Sequence, residues 1–336
     1  MPSQSSASTS ANPAPPAGDS RNFFDGGAKG STQAVSPDCA RLVDLDEKLV
    51  WLDESLGGDA SAIGYGWLPA EGPVWWHEGG YLLLSDIGKN QRMQWPPDHG
   101  MSVVATDTQG ANGMTRDREG RLIVCVHMEQ RLIRIEHDGS TTVLADRHQG
   151  KRLSRPNDVV VKSDGAIYFT DPFTPIFTKV EVDFSAVYRL APDGRTLTLL
   201  CDDLIAPNGL CFSPGETVLY VNDTHTACIY AYDMQDNGLL GTRRTFAILR
   251  DERLGLVDGM KVDLEGNLYC TGPGGVWIMS PDGRHLGTIA LGPGKRATNL
   301  AWGGADWRTL FITTTRELAS IRMKVRGVPV PGNMLP

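Results

Sequence analysis

The chain has 336 residues, with 32 Lys and Arg against 40 Asp and Glu and a formal net charge of −8. That balance excludes the basic footprint required by nucleic acid or an anionic lipid surface. An apolar content of 40%, with 38 glycines and 21 prolines, describes a folded chain cut by many turns and excludes a disordered or fibrous one.

Residues 1–36 come first, rich in Ser, Ala, Pro and Gly. They have little to bury and are expected to form a disordered tail. The first 20 residues lack a basic segment followed by an apolar one, and no apolar run in the chain approaches the ~18 residues of a membrane span. The cytoplasm is therefore the default compartment, and a folded catalytic domain is expected over residues 37–336. Six cysteines, Cys39, Cys125, Cys201, Cys211, Cys228 and Cys270, show no C-x-x-C spacing. Most lie in strand-like apolar runs, so reduced core thiols are expected.

From residue 71 onward one pattern recurs. It begins at Glu71 (EGPVWWHEGGYLLLSD), Asn112 (NGMTRDREGRLIVCVH), Asn157 (NDVVVKSDGAIYFTDP), Asn208 (NGLCFSPGETVLYVND), Asp258 (DGMKVDLEGNLYCTGP) and Asn299 (NLAWGGADWRTLFITT). In each, an acid or amide opens a short apolar strand, a Gly-bearing turn follows, and a second strand ends in polar residues. The openings are 41, 45, 51, 50 and 41 residues apart, close to the ~40–50 residues of a four-stranded propeller blade. Second hairpins lie between them. RLIRIEHDGSTTVLA, AVYRLAPDGRTLTLL and GVWIMSPDGRHLGTIA each set Asp-Gly between two alternating strands.

The pattern predicts an all-β chain, a six-bladed β-propeller with four antiparallel strands per blade. The proline-rich end, VRGVPVPGNMLP, leaves the last blade one strand short. The apolar run Leu49 to Leu52, ahead of the first repeat, is expected to supply that strand and close the ring. A doubly wound α/β fold is disfavoured, because no amphipathic helical stretch of sufficient length separates the strands.

A common register puts the six openers, Glu71, Asn112, Asn157, Asn208, Asp258 and Asn299, at one end of the innermost strands, encircling the axis. Asn and Asp before Gly are common in ordinary turns. Six in register, two of them carboxylates and none aliphatic, instead point to a compensating cation at a water-poor mouth. Oxygen donors with a formal charge of −2 suit one divalent ion: Ca²⁺ first, then Mg²⁺ or Mn²⁺. The absence of His and Cys disfavours dedicated zinc, although such sites can accept Zn²⁺.

The motifs EGPVW (71–75), RPNDVVVKSDGAIYFTDP (155–172), APNGL (206–210) and VDGM (257–260) resemble the gluconolactonase, regucalcin (senescence marker protein) and luciferin-regenerating enzyme family. The resemblance runs from about residue 49 to 322. NGMTRDREGRLIVCVH and KRLSRPND are most similar to its bacterial gluconolactonase branch. The resemblance implies a metal held by Glu71, Asn157, Asn208 and Asp258, lactone or ester hydrolysis, and Asp258 as general base. It also implies organophosphate hydrolysis as the activity of an outlying relative. Leu153-Ser154-Arg155 departs from the family's usual Asn-Ser or Asn-Arg before Pro-Asn-Asp.

In this reading a cation-polarised lactone carbonyl is attacked by water, with Asp258 as base and His127, at the end of a strand, as proton shuttle. Asn112 and Arg155 are expected to orient sugar hydroxyls or the carbonyl, with Asp171 behind them. Loops 146–154 and 172–184 are expected to set specificity. Trp75, Trp76, Trp277 and Trp302 lie in strand runs and are expected to pack between blades. The expected partner is a small lactone or ester, with neither nucleic acid nor membrane; the oligomeric state is not read. Two other classes fit the same residues: a phosphotriesterase or fluorophosphatase, and a calcium-binding propeller scaffold.

Overall fold

Short alternating strands joined by Gly-bearing turns can bury both faces only by stacking sheet on sheet. The chain does so in a ring. A computed structural model describes residues 39–44, 47–59, 67–173 and 181–330. The expected tail, 1–36, and part of the second long loop, 174–180, lie outside the described residues.

Six sheets of four antiparallel strands form the six blades. Their innermost strands are Ala70–Trp76, Ala111–Arg116, Val159–Val161, Pro207–Phe212, Met260–Val262 and Ala297–Gly303. Each innermost strand touches the next, and Ala297–Gly303 returns to Ala70–Trp76. The described residues contain no α-helix.

The ring closes as expected. Val50–Asp53 forms the outer strand of blade 6, pairing antiparallel with Leu318–Arg322, with Val50 opposite Ser320 and Trp51 opposite Ala319. One sheet thus joins an early segment to a late one and leaves no gap between blades 6 and 1.

The core lies between blades. Trp75 stacks on Phe311 with centroids 5.4 Å apart, and Trp302 meets Tyr269 edge-on at 5.0 Å. Trp76 stacks on Tyr81, and Trp277 donates its indole N–H to Pro273 O. The tryptophans therefore pack between and within blades. All six cysteines are free, five of them buried.

The two long insertions lean on each other. Residues 147–152 form a short hairpin, Arg147–His148 against Lys151–Arg152. Glu181, from the second insertion, accepts from Arg152 N at 2.9 Å and meets Arg147 at 3.4 Å.

After the last strand the proline-containing segment leaves the sheet and crosses the channel. Asp263 and Gly327 form an isolated bridge, and Val328 N donates to Val262 O at 3.2 Å. Gly327 is required there, since a Cβ would lie 1.8 Å from Trp302 Cγ.

Candidate active site at the channel mouth

Four blades place a glycine directly after the opening residue: Gly72, Gly113, Gly209 and Gly259. A Cβ on Gly72 would lie 2.1 Å from Asn112 O, and one on Gly209 would lie 2.2 Å from Asp258 O. Gly113 and Gly259 face Asn157 and Asn299 in the same way. The missing side chain of one blade is thus the room taken by the next blade's opener. The innermost strands of blades 1, 2, 4 and 6 also change register at this end, between Glu71 and Val74, Ala111 and Met114, Pro207 and Leu210, and Ala297 and Asn299. Such bulges re-aim side chains, here at the mouth. We expect Gly209→Ala to cost about 1–3 kcal/mol of stability through overpacking, read as a lower melting temperature, and to depress turnover by displacing Asp258.

Second-strand ends grip the openers from behind. Ser85 Oγ donates to Asn112 O at 2.8 Å, and Thr170 Oγ1 donates to Asn208 O at 2.6 Å. Asn222 Nδ2 donates to Asp258 O. Thr224 joins blades 4 and 5 by accepting from Asn208 Nδ2 at 3.1 Å and donating to Val257 O at 2.6 Å.

The structure gathers three carboxylates: Glu71, Asp258 and Asp158, which follows Asn157 where four other blades have glycine. Asn299 Nδ2 donates to Glu71 Oε2 at 2.9 Å and reaches Asp158 Oδ2 at 3.4 Å. Burial pushes the Glu71 carboxyl up to about 7, against the opposing bonds from Asn299 and Gly72, with the Asp158 charge adding to the rise. Burial, then the charges of Glu71 and Asp158, raise Asp258 well above the ordinary carboxylate range; a bond to Asn208 opposes them. Asp158 is raised by burial and eased chiefly by the Lys261 charge. No Lys, Arg or His lies within ion-pair distance of these three among the described residues.

Crowded desolvated carboxylates without an ion-pair partner are costly, and so is a buried acceptor without a donor. Asn208 Oδ1 is such an acceptor. Asn157 is half-buried at the same mouth, its backbone tied to Thr170 O and Gly113 N. Carboxylate and amide oxygens of this kind fit a hard divalent cation. Among the described residues no three His, Cys, Asp or Glu side chains are grouped to hold a metal by themselves, so the amides would complete the donor set.

Blades 2 and 3 supply a second polar cluster. His127 is 3% exposed. Its Nε2 lies 2.7 Å from the Asn112 amide, and its Nδ1 accepts from Arg155 Nε at 3.0 Å. Arginine can only donate, so Nδ1 is the acceptor and Nε2 carries the proton. Asn112 must then turn its Oδ1 toward the ring, which also provides a partner for that otherwise orphaned oxygen. Burial, then Arg155, hold the His127 pKa well below its usual value, so the ring is neutral at pH 7. Asp171, 1% exposed, accepts from Ser154 N at 2.8 Å and from Arg155 N. Burial raises its carboxyl to about 7 despite those bonds.

The nine residues singled out in the sequence, the six openers with His127, Arg155 and Asp171, lie at this end. Glu71, Asn208 and Asp258 gather with Asn299 and Asp158, while Asn112, His127, Arg155 and Asp171 form a bonded chain beside them. Sequence reasoning missed Asp158, Thr224 and Lys261. Asp158 carried one readable signal, an acid in the slot that four blades fill with glycine.

Fold and site define a class: a six-bladed propeller with an oxygen-donor mouth suited to a divalent ion. Residues 69–316 match the model of the SMP-30/gluconolactonase/LRE-like region, and the chain belongs to that family. It is 32% identical to a gluconolactonase of Zymomonas mobilis over 333 residues, covering 91% of this chain and 90% of that protein. It is 28% identical to the pentonolactonase XacC of Haloferax volcanii, covering 73% and 80%. A solved gluconolactonase from Xanthomonas campestris superposes with a TM-score of 0.76 at 32% identity, covering 90% of this chain and 99% of that one.

Proposed function

We propose that the chain opens sugar lactones by hydrolysis at this mouth, with one divalent cation, Ca²⁺ in the first instance, held by Glu71, Asn157, Asn208 and Asp258. The observation that carries the reading is the convergence of desolvated carboxylates, none of them in an ion pair among the described residues, on an amide oxygen with no donor. Family membership and the lactonase relatives support the substrate class.

When bound, the cation supplies Lewis-acid polarisation of the lactone carbonyl and a positive charge for the developing oxyanion. Asp258 takes the proton from the attacking water. Beside the bound cation Asp258 stays ionised and so able to accept that proton, while burial beside Glu71 and Asp158 counters the loss of basicity that the cation brings. The acyl C–O bond breaks, the ring oxygen leaves as a hydroxyl carrying the proton that Asp258 returns, and the carboxylic acid formed at the acyl carbon loses its remaining proton to solvent.

His127 has both ring nitrogens engaged. We assign it to positioning Asn112 and Arg155, which present donors to ring hydroxyls or the carbonyl, rather than to carrying protons. Asp171 sets the backbone of the Arg155 loop from behind. The hairpin at 147–152, braced by Glu181, walls the same side.

The test is turnover of a panel of aldonolactones beside one phosphotriester. Ring opening of a lactone, with little action on the phosphotriester, supports the reading. Preference for the phosphotriester would make the chain a phosphotriesterase, and no turnover of either would leave an ion-binding scaffold.

A further inference from the structure

The channel has a second mouth. At the far ends of the innermost strands lies a cavity of about 330 Å³, lined by none of the six openers. That size falls at the lower end of the ~300–1,000 Å³ typical of small-molecule sites. Its walls are largely apolar, with Val74, Met114, Val160, Phe212 and Trp302 among them, and Val328 to Val330 of the C-terminal crossing run along it.

Its charges run against those of the chain. Arg116, Arg118, Lys162 and Lys261 line it against a single carboxylate, Glu216, in a protein of net charge −8. Some of that charge is already matched: Arg116 pairs with Glu78 at 2.8 Å, and Lys162 sits 3.3 Å from Asp164 and 3.4 Å from Glu216. Lys261 differs. Half-buried inside the channel, it makes no ion pair among the described residues, and its charge acts only at longer range on Asp158 and Glu71. Its Nζ donates to Met260 O at 3.0 Å and reaches Asn299 Oδ1 at 3.5 Å. An ammonium in that position gains from an anion brought beside it.

We propose that this far mouth binds a small amphipathic monoanion, a carboxylate on an apolar body, with its headgroup at Lys261 and its body against the valine and aromatic walls. A sugar acid does not suit it, because its hydroxyls would face apolar side chains without partners. The occupant would also stand close to the lactone mouth in bonding terms. Lys261 touches Asn299, and Asn299 donates to Glu71. The proposal does not depend on the lactonase reading.

Octanoate is the probe and octan-1-ol its uncharged counterpart, each titrated into the full-length protein and followed by tryptophan fluorescence, since Trp75 and Trp302 line the cavity. The expected result is saturable binding of octanoate, at least about tenfold tighter than the alcohol. Lys261→Met should erase that preference, and Val328→Trp, which fills the cavity from the crossing segment, should weaken both ligands. Gluconate should not displace octanoate. The proposal is overturned by non-saturable binding, by octanoate affinity unchanged in Val328→Trp, or by displacement with gluconate. Should Lys261→Met fail to fold, the wild-type comparison of acid with alcohol and the Val328→Trp variant decide alone.

Discussion

Replacing Asp258 by asparagine is expected to lower kcat/KM for lactone opening by about 10³-fold, while raising the melting temperature of the ion-free protein. The two effects have one cause. Asp258 is half-buried beside Glu71 and Asp158, and desolvation, with those charges, disfavours its ionised form. Asparagine has nearly the same shape and no charge, so the fold loses a like-charge contact. The same change removes the proposed base and one anionic donor. Steady-state kinetics and thermal melting of Asp258→Asn settle both halves. Near-normal activity would remove Asp258 from the chemistry, and a lower melting temperature without the ion would contradict the crowding of carboxylates.

Without a divalent ion the protein should lose stability as pH rises from about 4 to 8. Glu71 and Asp171 are held up to about 7, and Asp158 and Asp258 are raised as well. Each binds its proton more tightly folded than unfolded. Their destabilising effect is therefore absent below the unfolded carboxylate range of ~4 and complete above the folded values. A bound cation favours the ionised forms of Glu71 and Asp258. With Ca²⁺ present the slope should flatten at neutral pH, and the apparent affinity for the ion should rise with pH as protons cease to compete. Melting temperatures across this range, with and without chelator, provide the check. A chelated protein whose stability rises between pH 5 and 7 would contradict the assigned shifts.

The architecture was legible because a propeller writes itself into sequence as a period. The Glu71, Asn112, Asn157, Asn208, Asp258 and Asn299 segments repeat an opener, a strand, a Gly turn and a polar strand end, and the structure gives each a physical task. The polar ends Ser85, Thr170 and Asn222 hold the openers' carbonyls. The closing strand was also legible, because Leu49 to Leu52 was an apolar run without a blade of its own.

What stayed hidden depends on how neighbouring blades face each other. Asp158 reads as the second letter of Asn-Asp until Asn299, 141 residues away, is seen to bridge it to Glu71. His127 ends a strand in a manner that suggests a shuttle, and only its contacts with Asn112 and Arg155 show both nitrogens engaged. Lys261 lies in an unremarkable apolar strand, and nothing local reveals that it points along the channel between the carboxylates and the far cavity. The end VRGVPVPG could be read as unpaired, but not as the segment that crosses the far mouth.

The acid and amide mouth is assigned a cation-dependent lactonase activity. Its most direct test is the rate of aldonolactone ring opening by the full chain before and after exhaustive chelation, with Ca²⁺, Mg²⁺, Mn²⁺ and Zn²⁺ restored one at a time. Turnover should be lost on chelation and recover with at least one ion, bound once per chain and absent from Asp258→Asn at the same concentration. Undiminished turnover in protein shown to be free of divalent metal would contradict it.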